Sequence, residues 1–200
     1  MPESVMYHDG NRRLQDQFDS RRISDRLEEK LTRTAFTADD KAFIESAIYF
    51  FMSTADAEGR PDCSFKGGPP GFVRVTAGWE LAFPDYDGNG MFKSLGNVLV
   101  NPNVGLLFID LHERPRRLRV NGSATVSRED PLLAETAGAQ MIVRVKARAI
   151  FPNCPRYIPK MQLMEPSVYV PRPDCDPVEP AWKGFDIFKG YVHPRQSTAR

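Results

Sequence analysis

The sequence predicts a mainly β protein, a small antiparallel barrel with helices before the first strand and one helix between the middle strands. Three observations carry this. Six or seven short β-rich runs recur at regular spacing from Ile48 to Ile150. They are separated by stretches rich in glycine, proline and aspartate, the composition of hairpin connections. Only one clear helical pattern interrupts them, which argues against a doubly wound parallel sheet. A barrel also removes the edges that such hydrophobic strands would otherwise expose.

Taken in order, residues 1 to about 20 are polar and read as an arm or loop. Ser20–Arg33 places Ile23, Leu27 and Leu31 four apart, the spacing of a surface helix with a narrow apolar stripe. Thr37-Ala-Asp-Asp is a helix start, a threonine cap followed by acids in the first turn. The helix it opens runs to about Ala47 and buries Phe43, Ile44 and Ala47. Ile48–Thr54 and Asp62–Lys66 then form a predicted hairpin around the turn Ala55–Pro61. Gly67-Gly-Pro-Pro-Gly interrupts, Phe72–Val75 resumes as a strand, and Thr76-Ala-Gly-Trp leads tightly into Leu81–Phe83.

The stretch Leu81–Asp110 organises the rest: strand, loop Pro84–Asn89, helix from about Gly90 to Leu99, strand Val104–Ile109. Met91, Phe92, Leu95, Val98 and Leu99 recur at steps of three and four, and Asn101-Pro102 stops the helix. Asn89 is expected to cap it, after an Asp-Gly-Asn-Gly run flexible enough to converge its N–H groups. Leu118–Val126 alternates in strand fashion, Pro131–Gly138 reads as a short helix, and Ala139–Ile150 alternates again. In Ala139–Ile150, Met141, Val143, Val145 and Ala147 share a face. The expected division is an arm and helix over 1–36, the barrel domain over 37–150, and a proline-rich segment over 151–200. That last segment is expected to pack on the barrel or on a partner subunit.

Composition excludes several classes. A formal net charge of +1 gives no electrostatic case for nucleic acid. No apolar run approaches the roughly 18 residues a membrane span needs. The start lacks the apolar core of a secretory signal, and three widely spaced cysteines fit a reducing cytoplasm better than a disulfide framework. His8, His112 and His193 stand at no metal-ligand spacing with the cysteines, so no metal site is expected. No nucleophile elbow, Walker loop or dinucleotide fingerprint is present.

What remains is a dispersed anion-binding set. Ser64 and Lys66 share a strand face, Lys93 and Ser94 follow the Asn89 helix start, and Arg117 and Arg119 alternate on a third strand. A lysine in a first helical turn opposes the helix dipole, whereas an anion placed there gains N–H groups, dipole and ammonium together. Each cation taken singly also fits a solvated surface position. Together they point to a phosphorylated ligand, with Phe65, Phe83, Tyr86 and Met91 available to cover a flat ring.

The blocks SFKGGPPGFVRV, LAFPDYDGNGMFKSLGNVLVNPNVGLLFID and RLRVNGSATV resemble the flavin-nucleotide-binding relatives of pyridoxamine 5'-phosphate oxidase, best over Phe43–Val126. The resemblance implies a six-stranded split barrel, α+β but mainly β, forming a homodimer with one FMN in each of two clefts between subunits. It implies that Ser64, Lys66, Asn89, Lys93 and Ser94 hold the phosphate and ribityl chain, and that Pro84 and Asp85 line the ring pocket. Arg117 would present a polar side chain to the flavin, and Arg117 or Arg119 would place a cation near the N1–C2 edge of its ring. Trp182 would cover the flavin from the other subunit. The oxidase's basic pair five residues apart is replaced here by Ser64 and Lys66, two apart. His193-Pro-Arg195 is a poor substitute for its C-terminal substrate motif. The expectation is therefore an FMN-binding oxidoreductase acting on a small molecule other than pyridoxamine phosphate. A deazaflavin cofactor or haem in the same cleft, or a flavin store without turnover, are the alternatives.

Overall fold

The computed structural model describes residues 4–112, 115–172 and 175–192; His193 and Arg195 lie outside them. Its centre is one antiparallel sheet of seven strands in the order β2-β1-β5-β6-β7-β4-β3. These are β1 (Tyr49–Ala55), β2 (Pro61–Gly67), β3 (Arg74–Ala77), β4 (Glu80–Tyr86), β5 (Asn103–Asp110), β6 (Arg116–Ser127) and β7 (Ala139–Asn153). The count reaches the upper end of what strand spacing predicts and exceeds by one the six that the resemblance implies. The sheet curls until Phe50 of β1 meets Phe83 of β4 edge-on at 4.9 Å, although β5, β6 and β7 separate those strands in the ladder. No ladder joins β2 to β3 among the described residues, so the barrel is split.

The core follows from alternation. Phe50 and Met52 of β1, Leu106 and Phe108 of β5, Leu118 and Val120 of β6, and Val143 and Val145 of β7 all point inward and are buried. Phe50 also stacks on Phe108 (5.0 Å) and on Phe72 (5.9 Å), so one aromatic ring ties three parts of the wall together. A bulge between Asn121 and Gly122 bends β6 against β7. Glycine is required there, because a Cβ on Gly122 would collide with the carbonyl oxygen of Lys146.

Helices occupy the gaps. Helix α3 (Ala38–Ser46) starts with a capping box: Thr37 Oγ1 accepts from Asp40 N, and Asp40 Oδ2 accepts from Thr37 N. Asp40 is 2% exposed and also takes two bonds from Arg33 at 2.8 Å. Residue Arg33 is in turn paired through its backbone to Ile150 of β7. Helix α2 (Arg21–Leu31) forms as expected, though Ile23 and Leu27 remain exposed. Helix α1 (Asp9–Gln17) corrects the expectation of an arm or loop. It is capped by His8, with Asn11 closing a reciprocal box, and it carries no apolar stripe that periodicity could have detected. Pro131–Glu135 forms a 3-10 turn capped by Asp130.

Helix α4 (Lys93–Val100) is the element that matters most for function, and its start differs from expectation. The residue before it is Phe92, in the left-handed region at φ 47°. Asn89 does not cap the helix; its Oδ1 accepts from Met91 N at 3.0 Å and closes a local turn instead. Of the five apolar residues expected on one face, Leu95 and Val98 are buried, while Met91, Phe92 and Leu99 are exposed. The later start puts Lys93 and Ser94 at the first two helical positions. Buried Asn97 donates to Thr54 Oγ1 of β1 at 3.0 Å, and Asn101 donates to the Asp56 carbonyl at 3.2 Å. These bonds fix the helix against β1 with its N-terminus beside β2.

Candidate functional site

A cleft of about 520 Å³ opens between β2, the end of β4 and the start of α4. Seven of the sequence-nominated residues line it: Ser64, Lys66, Pro84, Asp85, Asn89, Lys93 and Ser94. They arrive from three chain segments, so their convergence is a product of topology. Lys66 is placed by alternation along β2, Pro84 and Asp85 by the last turn of β4, and Lys93 and Ser94 by the position of α4. Ser94 is buried and its hydroxyl lies within donating distance of both Asp62 Oδ2 and Ser64 Oγ, 3.0 Å from each.

Neither Lys66 nor Lys93 forms an ion pair with a described residue, whereas Arg60, Arg74, Arg116 and Arg144 all do. Two lysines without ion pairs to described residues and a helix start without a side-chain cap line one space, a donor arrangement suited to an anion. The apolar part of the lining includes Phe65, Tyr86, Met91, Phe92 and Leu95. Phe83, nominated with them, is instead a core residue packed on Phe50.

Asp85 sits at the inner wall. Burial pushes its carboxyl above the ordinary carboxylate range, against the opposing pull of a Gln140 hydrogen bond and of Lys66. Gln140 Nε2 donates to Asp85 Oδ2 at 2.8 Å and reaches the Tyr86 carbonyl at 3.3 Å. Tyr86 has its hydroxyl pushed up to about 12 by burial, so it stays a neutral phenol. Sequence reasoning missed Gln140, because only the pairing of β4 with β7 brings it to Asp85. It also missed Asp62, although Asp62, Ser64 and Lys66 fall on one face at steps of two, a signal open to inspection.

Arg117 and Arg119 do not line the cleft. They alternate with buried Leu118 on the outer face of β6, paired to Asn153 and Phe151 of β7. That outer face is unusually aromatic. Tyr49, Phe51 and Phe65 form a cluster with centroids 5.6 to 6.1 Å apart, and Phe65 is 62% exposed. Tyr49 Oη, Arg117 Nε and Asn153 Oδ1 are buried on this face without hydrogen-bond partners. Arg117 and Asn153 are register neighbours, and Tyr49 is two residues from the Phe51–Leu107 pair on the same side.

Trp182 lies outside the cleft lining and packs edge-on against Phe188 at 5.5 Å. Its neighbour Lys183 is 7% exposed, held between Asp87 Oδ2 at 2.9 Å and Glu179 Oε1 at 3.2 Å. Since Asp87 lies in the cleft-lining loop, this pair ties the C-terminal segment to the cleft rim. No group of three His, Cys, Asp or Glu side chains gathers as a metal site among the described residues. No helix among them is long and apolar enough to cross a membrane.

The architecture and the cleft together define a split-barrel protein with a lysine-lined cleft at the edge of its sheet. Residues 36–168 match the sequence model of pyridoxamine 5'-phosphate oxidase, and the chain belongs to that family. No curated protein matches it. Similar solved structures include HupZ of Group A Streptococcus, at 16% identity and a TM-score of 0.46 over 58% of this chain and 94% of that one. An FMN-binding protein from Syntrophomonas wolfei subsp. wolfei gives 11% identity and 0.45, over 70% of this chain and 97% of that one. HutZ, the haem storage protein from Vibrio cholerae, gives 18% and 0.42, over 57% and 92%.

Proposed function

We propose that this chain binds FMN in the cleft between β2, β4 and α4 and serves as an FMN-dependent oxidoreductase for a small molecule. One observation carries the reading: Ser64, Lys66, Lys93 and Ser94, from separate segments of the chain, line one pocket in which neither lysine forms a direct ion pair with a described residue. The donor set fits a phosphate, with two ammonium groups, two hydroxyls and the N–H groups of a helix start. The volume suits a small-molecule site, and Phe65, Met91 and Phe92 offer flat apolar cover at its mouth. FMN, when bound, supplies the hydride and electron chemistry.

The chain's own residues then have defined tasks. Lys66 and Lys93 neutralise the phosphate and fix the register of the cofactor along the cleft. Asp85, oriented by Gln140, keeps its proton to higher pH than an ordinary carboxyl and can donate a hydrogen bond from the inner wall. The replacement of a basic pair by Ser64 and Lys66 supports a substrate other than pyridoxamine phosphate.

The reading includes a homodimer. The exposed Phe65 cluster adjoins the cleft through β2, and the unpaired Tyr49, Arg117 and Asn153 atoms on the same face call for polar groups from outside the chain. Pairing through this face would bring Arg117 and Arg119 toward the partner's cleft, where Arg117 could present its side chain to the flavin as the resemblance implies. Cytoplasmic residence is the compartment that fits three free cysteines.

The test is the absorption spectrum of the purified protein and of protein reconstituted with FMN. A flavin spectrum with one FMN per chain is expected, and colourless protein that takes up no FMN refutes the proposal. A deazaflavin or haem spectrum replaces the cofactor while leaving the cleft as its site. Anaerobic reduction by a nicotinamide nucleotide separates enzyme from store, since an enzyme's flavin bleaches at a useful rate and a store's does not. Sedimentation of Phe65→Asp is expected to show monomers with weakened FMN binding; an unchanged dimer excludes this face as the seam.

A further inference from the structure

The anion site already contains a carboxylate. Asp62, Ser64 and Lys66 occupy one face of β2, and Asp62 Oδ2 accepts the Ser94 hydroxyl at 3.0 Å. Ser64 Oγ stands 3.0 Å from that hydroxyl, so Asp62, Ser94 and Ser64 form a connected chain across the groups assigned to phosphate. Of the cleft's other carboxylates, Asp87 is paired with Lys183, and Asp85 is bonded to Gln140 on β7. Asp62 alone among them binds a hydroxyl of the α4 start. It satisfies Ser94 when no ligand anion is present, and it places a negative charge beside any phosphate that arrives.

Resting on the flavin reading above, we infer that Asp62 sets the charge the cleft accepts. A phosphate held by Lys66, Lys93, Ser64 and Ser94 must share Ser94 with Asp62 or displace it, and repulsion grows with the charge of the incoming group. A dianionic phosphomonoester is penalised most, a singly charged phosphodiester less, and an uncharged ligand end not at all. Asp62 is thus a specificity-determining residue for the ligand's phosphate, distinct from the lysines that attract it.

The test compares wild type with Asp62→Asn, which keeps an acceptor for Ser94 and removes the charge. FMN and riboflavin are titrated by fluorescence quenching. Asp62→Asn is expected to bind FMN roughly tenfold more tightly while riboflavin affinity stays within about twofold. Unchanged or weaker FMN binding, or an equal gain for riboflavin, overturns the inference. Should neither flavin bind either protein, the flavin reading fails, and inorganic phosphate decides the role of Asp62 separately. In that arm phosphate must raise the melting temperature of Asp62→Asn more than that of wild type; equal shifts overturn the inference. Asp62→Ser provides the same comparison if the asparagine variant does not fold.

Discussion

The inner face of the barrel and the cleft at its edge are built from the same strands yet satisfy opposite requirements. Inside, Phe50, Phe83 and Phe108 fill each other's contacts and nothing polar is left waiting. At the edge, Lys66 and Lys93 line one space with no direct ion pair to a described residue, and Asp85 is kept half-buried at a cost in ionisation. The contrast teaches where stability and function reside. Alternation sends one set of side chains to a closed core and leaves the edge strand β2 and the end of β4 to hold groups that a ligand must complete.

Substitutions can break this contrast or sharpen it. The largest effect is expected in the core. Phe50→Ala should cost about 3–5 kcal/mol, because it empties the meeting point of three aromatic contacts. Urea denaturation measures it, and a loss below about 1 kcal/mol would mean that the sheet does not close around Phe50.

Asp85→Asn is expected to act in the opposite direction. A carboxyl whose folded pKa is raised holds its proton longer in the folded state, so the unfolded chain ionises first as pH rises. Asp85 therefore lowers stability progressively from about pH 4, the unfolded value, up to its folded value, and the full cost persists above that. Asp85→Asn should raise Tm at pH 7 by roughly 2–4 °C and leave Tm nearly unchanged at pH 3, where both states are protonated. A variant that is less stable at pH 7 would show that the carboxylate stabilises the cleft.

Asp130 provides the reverse control. Its hydrogen bond from Arg144 holds its carboxyl below the usual range, so its contribution is full above the unfolded pKa and is lost as pH falls through the folded value. Asp130→Asn should lower Tm at pH 7 by a smaller amount and flatten the acid limb; an unaltered acid limb would contradict the pairing. The smallest effect belongs to Lys183→Met, which releases the C-terminal segment from Asp87 and Glu179. Proteinase K should then cut between residues 154 and 192 faster while Tm barely moves; unchanged cleavage would show that other contacts hold the segment.

Much of the fold was legible because period-two alternation and turn chemistry act locally. The strands of the hairpin Tyr49–Gly67 and the long partners β6 and β7 follow directly from such patterns. Helix α1 was not legible, since a helix held by caps and ion pairs has no apolar period to read. The start of α4 was misplaced because Asn89 has the chemistry of a cap, and nothing local announces the left-handed Phe92 that moves the helix start to Lys93. In the cleft, residues nominated for charge and spacing converged because their strands end there. Gln140 depends on a pairing between segments 55 residues apart, which no local pattern encodes. Arg117 and Arg119 shared a face as spacing implied, but which face the barrel presents to the cleft is a property of the whole sheet.

Titration of FMN into wild type and Lys93→Ala, followed by fluorescence quenching, tests the cleft most directly. Wild type should bind one FMN per chain, and the variant, having lost a charge-assisted bond at the helix start, should bind it tenfold to a hundredfold more weakly, about 1.5–3 kcal/mol. Equal affinities in the two proteins would contradict the placement of phosphate at the start of α4.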